Sequence, residues 1–396
     1  MGSRFTCEEE APSALPHLHH TARIPQSRRC TLGHNEMPSV ISPVAPAVSK
    51  LDRMAPEVHN LDPDGDVMLI MTRYLECEII SELGGDFDST VTKQNGPVAV
   101  DTELPNTADH NDILTCEQEV LVRASSRHLI LASTVFRAML QRKFSECNAL
   151  HETGSVEIPL PADDPDAFLI ILNIIHGYMR RVPTELDLDT YTQVSVLADK
   201  YDVHEAVEIF ANFWFEKLKP TIPQTYTEDI PGWICICWVF NRPKEFKHLT
   251  RLALRQGRQN LPLGDLPIPA SVVDAINSQR IDSISRIVSL LHAQLADYLE
   301  KEHCSFECDS LMLGALTKRL KALHLFPSRP DPPFTGLCFE QFAHRFRDGL
   351  YFPAAQRTST YYYDHAKCAI PSIEHTLKKF DEQLAGLELT EHKLLS

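Results

Sequence analysis

The sequence predicts an α+β fold: a small sheet combined with helices in the N-terminal half, followed by an all-helical region. Three observations predict it. Short strand-like apolar runs fall at residues 67–71, 120–124 and 156–160. Helix-period stripes with capping signals follow them, and past Pro220 only helical spacing recurs.

Residues 1–61 are rich in Pro, Ser, His and Arg without sustained periodicity, which predicts a disordered leader. The imidazoles of His17, His19 and His20 are then a solvated cluster, since an unfolded leader offers no second shell to orient metal ligands. Met1-Gly2-Ser3-Arg4-Phe5-Thr6 fits the loose pattern for N-myristoylation, with Cys7 as a second acylation candidate. Glu8, Glu9 and Glu10 oppose this, because an anionic leaflet repels them.

Order begins at Asp66, ahead of the apolar run at 67–71. From 72 to about 117 the chain turns polar and acidic, with "LGGDFD" and "KQNGP" as turn signals, and reads as an insertion between two neighbouring strands. Val120, Val122 and Ala124 then alternate as a strand does, and Leu129, Ala132, Phe136, Met139 and Leu140 recur as a helix does. Only Ser125-Ser126 separates the two periods, and serines are good caps. A nucleophile elbow needs glycines on either side of its serine; here the flanks are Ala124 and Arg127, so both serines read as capping residues.

Residues 156–160 form the next strand. Asp164 caps a helix with Pro165 at its first position and Gly177 just past its end. Two more helices follow, broken near Asp202, with Leu186, Tyr191, Val194, Leu197, Ala198, Tyr201, Ala206 and Phe210 facing inward. Residues 219–326 form the helical C-terminal region, and prolines with broken periodicity make 327–396 a loosely structured tail.

Composition removes several functions. A formal net charge of −16 opposes binding to nucleic acid, which needs clustered Lys and Arg to displace phosphate counterions. No apolar run reaches the roughly 18 to 20 residues that span a bilayer; the strongest, "AFLIILNIIHGYM", is short and broken by Asn173 and His176. The 11 cysteines are scattered, which favours reduced thiols and hence the cytoplasm or nucleus.

The element order and the words within it resemble the BTB/POZ domain, over roughly residues 62–218. The matches are Asp66-Val67, "LILASTVFRAML" at the family's helix hairpin, "VEIPL", "AFLIILNIIHG" and "VLADKYDV". "EIPLPADDPDAF", "LADKYD" and "CSFECD" resemble the BTB proteins of filamentous fungi, in which a helical region follows the domain. The resemblance implies a small sheet capped by helices, with Asp66, Leu129, Ser133 and Phe136 at fold-defining positions. It also implies protein partners, dimerisation through the domain, and no chemistry. Two departures stand out: Ser125 occupies a place where animal members commonly have histidine, and the insertion at 72–117 lengthens the hairpin close to the family's dimer surface.

Many such proteins are substrate adaptors of cullin-type ubiquitin ligases, and those members carry a hydrophobic-x-glutamate motif after the helix hairpin. Phe144-Ser145-Glu146 stands at the matching place. A phenyl ring beside a carboxylate suits a cullin contact, the ring filling a groove and the charge selecting the partner; otherwise Phe144 covers the domain's own core and Glu146 is a solvated charge. No kelch or MATH pattern supplies a substrate-binding region, so that role falls to the helices. The alternative is a non-catalytic scaffold or self-association protein.

An enzyme or a zinc-stabilised domain has thinner support. His303, Cys304 and Cys308, with Cys338 and His344 downstream, supply one half of a tetrahedral zinc site and only a loosely spaced second half. If Cys308 lies in the first turn of a helix, it is more simply a small buried residue. A Cys338-His344 catalytic pair lacks a third group and an oxyanion hole, and "LGGDFD" lacks the Lys-Ser/Thr ending of a phosphate loop. The expectation is a protein with no cofactor, no metal and no catalytic residues.

Overall fold

Gly65 lets the chain pass close to a neighbouring strand: a β-carbon there would lie 2.7 Å from the carbonyl oxygen of Ala124. Its amide closes a turn onto the carbonyl of Asp62 at 2.9 Å, and the chain leaves this turn as a strand. The computed structural model describes residues 54–77, 114–142, 144–346, 350–351, 369–370 and 373–394. The described part of the N-terminal half contains β1 (Glu57–Asn60), β2 (Val67–Cys77), β3 (Leu114–Ala124) and β4 (Val156–Pro159), in the spatial order β1-β3-β2-β4. β2 and β3 run antiparallel, whereas β1 is parallel to β3 and β4 parallel to β2.

Two boundaries differ from the sequence reading. The segment read as leader contains β1, whose four residues EVHN alternate half-buried and exposed and carry no apolar signal. The segment read as an insertion from 72 contains the outer half of β2 and the start of β3, paired from Thr72 opposite Glu119 to Cys77 opposite Leu114. Thr72, Arg73, Glu76, Glu117, Gln118 and Glu119 interrupt the apolar residues of this ribbon, so no sustained apolar alternation marks it. Arg73 lies on it, bonding Asp166 at 2.6 Å and pairing with Glu57, which ties β2 to a helix and to β1. The leader motifs at residues 1–20 and the "LGGDFD" stretch lie outside the described residues.

After β3 come α1 (Ser126–Ala132), α2 (Thr134–Gln141) and α3 (Ser145–Thr153); β4 leads to α4 (Pro165–Ile175), α5 (Leu188–Tyr201) and α6 (His204–Leu218). Val67, Leu69 and Met71 face Val120, Val122 and Ala124 on the buried side of the sheet, covered by Phe168, Ile171 and Leu172 of α4. Asp164 accepts the amide of Ala167 at 2.7 Å, and Gly177 takes the left-handed conformation (φ 79°) that ends the helix.

The helical region comprises α7 (Ile230–Val239), α8 (Pro243–Gln256), α9 (Ala270–Glu300) and α10 (Phe306–Lys321). α7 is buried along almost its whole surface, consistent with a helix apolar all round. It packs on α5 with Gly232 against Thr192, whose Oγ1 would lie 3.0 Å from a β-carbon at that position. One core therefore runs from the sheet through α5 and α7 into the C-terminal helices, without a break at residue 218.

The segment read as a loosely structured tail is partly docked on that core. α11 (Phe339–Phe346), a short pairing of β5 (Leu350–Tyr351) with β6 (Ala369–Ile370), α12 (Glu374–Gln383) and α13 (Leu389–Lys393) complete the described elements. Phe339, Phe342, Leu377, Phe380 and Leu389 are buried, and Arg255 of α8 bonds Glu340 at 3.1 Å. A minority of regularly spaced apolar residues among prolines was enough to dock these helices.

Candidate functional site

The strand-to-helix turn is held differently from the capping read in the sequence. Ser125 is the cap residue of α1 but its hydroxyl makes no capping bond. The carboxylate of Asp66 does this work instead, accepting the Ser126 amide and the Ser126 hydroxyl, both at 2.7 Å. A charged acceptor at a helix N-terminus satisfies an unpaired donor and opposes the positive end of the dipole. Ser125 donates its own amide to Nε2 of His176 at 3.1 Å, while Nδ1 of the same ring bonds the carbonyl of Leu172 at 2.8 Å. Burial, together with the stacked ring of His128 4.9 Å away, holds the His176 pKa below its ordinary value.

Ser133 breaks the helix-period stripe into a hairpin. It has extended backbone, its hydroxyl accepts the amide of Phe136 at 3.0 Å to cap α2, and it donates to the carbonyl of Tyr201 at 2.5 Å. Leu129 and Phe136 are fully buried. The Phe136 ring stacks on Tyr201 at 4.8 Å, and Tyr201 stacks on Phe168 at 4.8 Å. The Tyr201 hydroxyl donates to buried Asp163, which also pairs with Lys200; desolvation, then this bond, pushes the phenol pKa up. The hairpin is thus locked to α4 and α5 by one ring stack and one serine.

The surface after the hairpin is Phe144, Ser145 and Glu146. Phe144 takes the cap position of α3 with extended backbone, and its side chain remains 52% exposed. About half of the ring is therefore open to solvent. Glu146 lies in the first turn of α3, half-buried, with its carboxylate accepting the Ser145 hydroxyl at 2.9 Å. The carboxylate lies two residues along the chain from the ring, at the N-terminal end of the α3 dipole. An exposed aromatic beside an oriented carboxylate on a short helix is suited to contact a protein.

The cysteine and histidine candidates are dispersed over separate features. Ser305 caps α10 by accepting the amide of Cys308 at 3.3 Å, which places Cys308 in the first turn, buried. Asp309 accepts the His303 amide at 2.6 Å, and the His303 ring pairs with Asp297 at 3.1 Å. Cys338 is buried ahead of α11, where it lines a cavity together with the exposed His344. Among the described residues no group of three or more His, Cys, Asp or Glu is placed to hold a metal. Cys116 is disulfide-bonded, a departure from uniformly reduced thiols, whereas Cys147, Cys235, Cys237, Cys304, Cys308 and Cys338 are not in disulfides. Spacing along the chain is blind to a pair that only folding brings together.

Among the described residues no helix is long and apolar enough to cross a membrane. Residues 105–218 match the family model of the BTB/POZ domain, a protein-interaction module not usually associated with catalysis. The matched region ends with α6 and begins between β2 and β3, so the eleven-residue strand β2 lies ahead of it although it pairs with β3 along its whole length. No curated protein matches the chain.

Proposed function

Because this chain carries a BTB/POZ domain, we propose that it is a non-catalytic adaptor that joins a cullin-type ubiquitin ligase to a protein held by the helical region. The observation that carries this reading is the exposed ring of Phe144 at the start of α3 with Glu146 in the turn behind it. That pair stands after the helix hairpin, where adaptor members of the family carry a hydrophobic-x-glutamate motif. A half-exposed ring costs solvation until something covers it, and a desolvated aromatic anchor is worth about 2 kcal/mol or more at an interface. The cytoplasm or nucleus is the compartment this role requires.

A scaffold that self-associates is the second reading, supported by the sheet's edge. β1 pairs only with β3 among the described strands, and its Val58 is exposed. An unpaired strand edge offers amides and carbonyls to another chain. Affinity purification of the full chain from a cell extract separates the readings: recovery of a cullin supports the adaptor, and recovery of the chain's own tagged and untagged copies alone supports the scaffold.

A further inference from the structure

A cavity of about 910 Å³ opens on the helical region between the C-terminal end of α8, the chain leaving it and α11. Tyr226, Arg258, Cys338, His344 and Arg345 are among the residues that line it. Two guanidinium groups on its wall, those of Arg258 and Arg345, form no ion pair among the described residues. With the Gln341 amide oriented so that its oxygen faces the guanidinium, Arg258 donates to it at 3.0 and 3.2 Å. The lining carboxylate of Glu340 is already taken by Arg255 at 3.1 Å and by the amide of Gln256 at 3.2 Å. Glu228, exposed, is the other carboxylate on the lining.

A third cation stands behind the wall. Arg280 of α9 is 1% exposed and donates to the carbonyls of Gly257 at 2.9 Å, Pro333 at 2.9 Å, Phe334 at 3.1 Å and Leu337 at 3.4 Å. Gly257 and Leu337 are the chain neighbours of Arg258 and Cys338, so this guanidinium backs directly onto the cavity lining. Tyr226 and Cys338 both lie within its electrostatic reach. A guanidinium cannot shed its proton, and four carbonyl dipoles orient it without supplying a counter-charge. In a chain with a net charge of −16, three cations that have no carboxylate partner among the described residues lie at one concave surface.

The geometry points to this cavity as a binding site for a phosphate monoester, gripped by Arg258 and Arg345 and attracted by the field of Arg280. The planar fork of arginine matches phosphate oxygens two at a time, and a dianion answers several positive charges better than a single carboxylate. Volume adds a constraint: ligand pockets run from roughly 300 to 1,000 Å³, so this one admits the group bearing the phosphate as well as the phosphate itself. A nucleotide and a phosphorylated side chain in a peptide share that chemistry. The site is remote in sequence from Phe144 and Glu146, and the inference stands or falls independently of the adaptor reading.

The test titrates the full chain calorimetrically with adenosine 5′-monophosphate and adenosine, and with a short phosphoserine peptide and its unphosphorylated form. Saturable binding of at least one phosphorylated probe, with its unphosphorylated counterpart silent, is the expected result. Arg258→Ala and Arg345→Ala should each weaken it by about tenfold or more, with unchanged melting temperatures in the absence of ligand. Binding of the nucleotide alone assigns a small-molecule ligand, and binding of the peptide alone assigns a modified protein. Absence of saturable binding by both phosphorylated probes, or binding that survives in the Arg258→Ala/Arg345→Ala double variant, overturns the assignment.

Discussion

The carboxylate of Asp66 holds both the amide and the hydroxyl of Ser126, each at 2.7 Å, across 60 residues of chain. This contact fixes the start of β2 to the start of α1, so it sets the angle at which the helix hairpin leaves the sheet. Hydrogen bonds to a charged group contribute about 1.5 to 3 kcal/mol. Asp66→Ala should lower stability by roughly that amount, and Ser126→Ala, which removes the hydroxyl and spares the amide, by about 1 kcal/mol. Denaturant unfolding of both single variants and the double measures the coupling. Additive losses would remove the contact from the account of the turn.

Phe136 presents a second, larger effect. Its ring has no exposed surface and stacks 4.8 Å from Tyr201 and 6.4 Å from Phe168. Phe136→Ala removes one end of the stack centred on Tyr201 and leaves a cavity between α2, α4 and α5, for an expected cost of about 3 to 5 kcal/mol. An unchanged melting temperature would contradict the core position.

These two sites differ in how legible they were. Phe136 announced itself, because Leu129, Phe136 and Leu140 repeat at helical spacing and all three are buried. Asp66 was placed by resemblance, but its acceptor role was assigned to Ser125, since a short-range cap is visible in sequence and a carboxylate 60 residues away is not. Strand β1 and the outer halves of β2 and β3 escaped notice for another reason. Their sequences carry no sustained apolar alternation, and the contacts that tie them in are backbone pairing and the Arg73 bonds to Glu57 and Asp166. Phe144 and Glu146 were legible as a motif, but only the cap position of Phe144 makes the ring accessible. The three arginines around the cavity lie at 258, 280 and 345 and share no pattern along the chain.

Acidification should loosen the same turn. His176 accepts the Ser125 amide through Nε2, so it must be neutral to do so, and burial depresses its pKa below 6.5. The unfolded chain then binds a proton more readily than the folded one. Stability from this group is fully present above about pH 6.5 and is lost as pH falls through the lower, folded value. The wild-type melting temperature should therefore drop more between pH 7.5 and 5.5 than that of His176→Gln, which retains an acceptor but does not titrate. Equal drops in the two proteins would assign the acid sensitivity elsewhere.

The purified chain should carry no stoichiometric zinc. Cys304 and Cys308 flank the capping residue of α10, Asp309 is engaged by the His303 amide, and the His303 ring pairs with Asp297. A structural zinc needs four ligands at about 2.0 to 2.3 Å, and these groups are arranged around a helix start instead. Elemental analysis finding about one zinc per chain, lost in a Cys304→Ser/Cys308→Ser variant, would move the helical region to a metal-stabilised module.

The adaptor reading turns on Glu146. Phe144→Ala removes the exposed ring and should weaken cullin recovery, but the ring is only 52% exposed, so part of any loss will come from its packing at the cap of α3. Glu146→Lys is the cleaner variant. It places a positive charge in the first turn of α3, where the helix dipole disfavours it by about 0.3 to 1 kcal/mol, and it breaks only an exposed bond to Ser145. The melting temperature should accordingly move by no more than a few degrees. At the interface the same change sets the wrong charge against a surface selected for a carboxylate, and like-charge juxtaposition costs several kcal/mol. Cullin recovery should therefore fall severely in a protein that is still folded. Recovery equal to wild type in the Glu146→Lys variant would detach this surface from any cullin and leave β1-edge self-association as the better account of the domain.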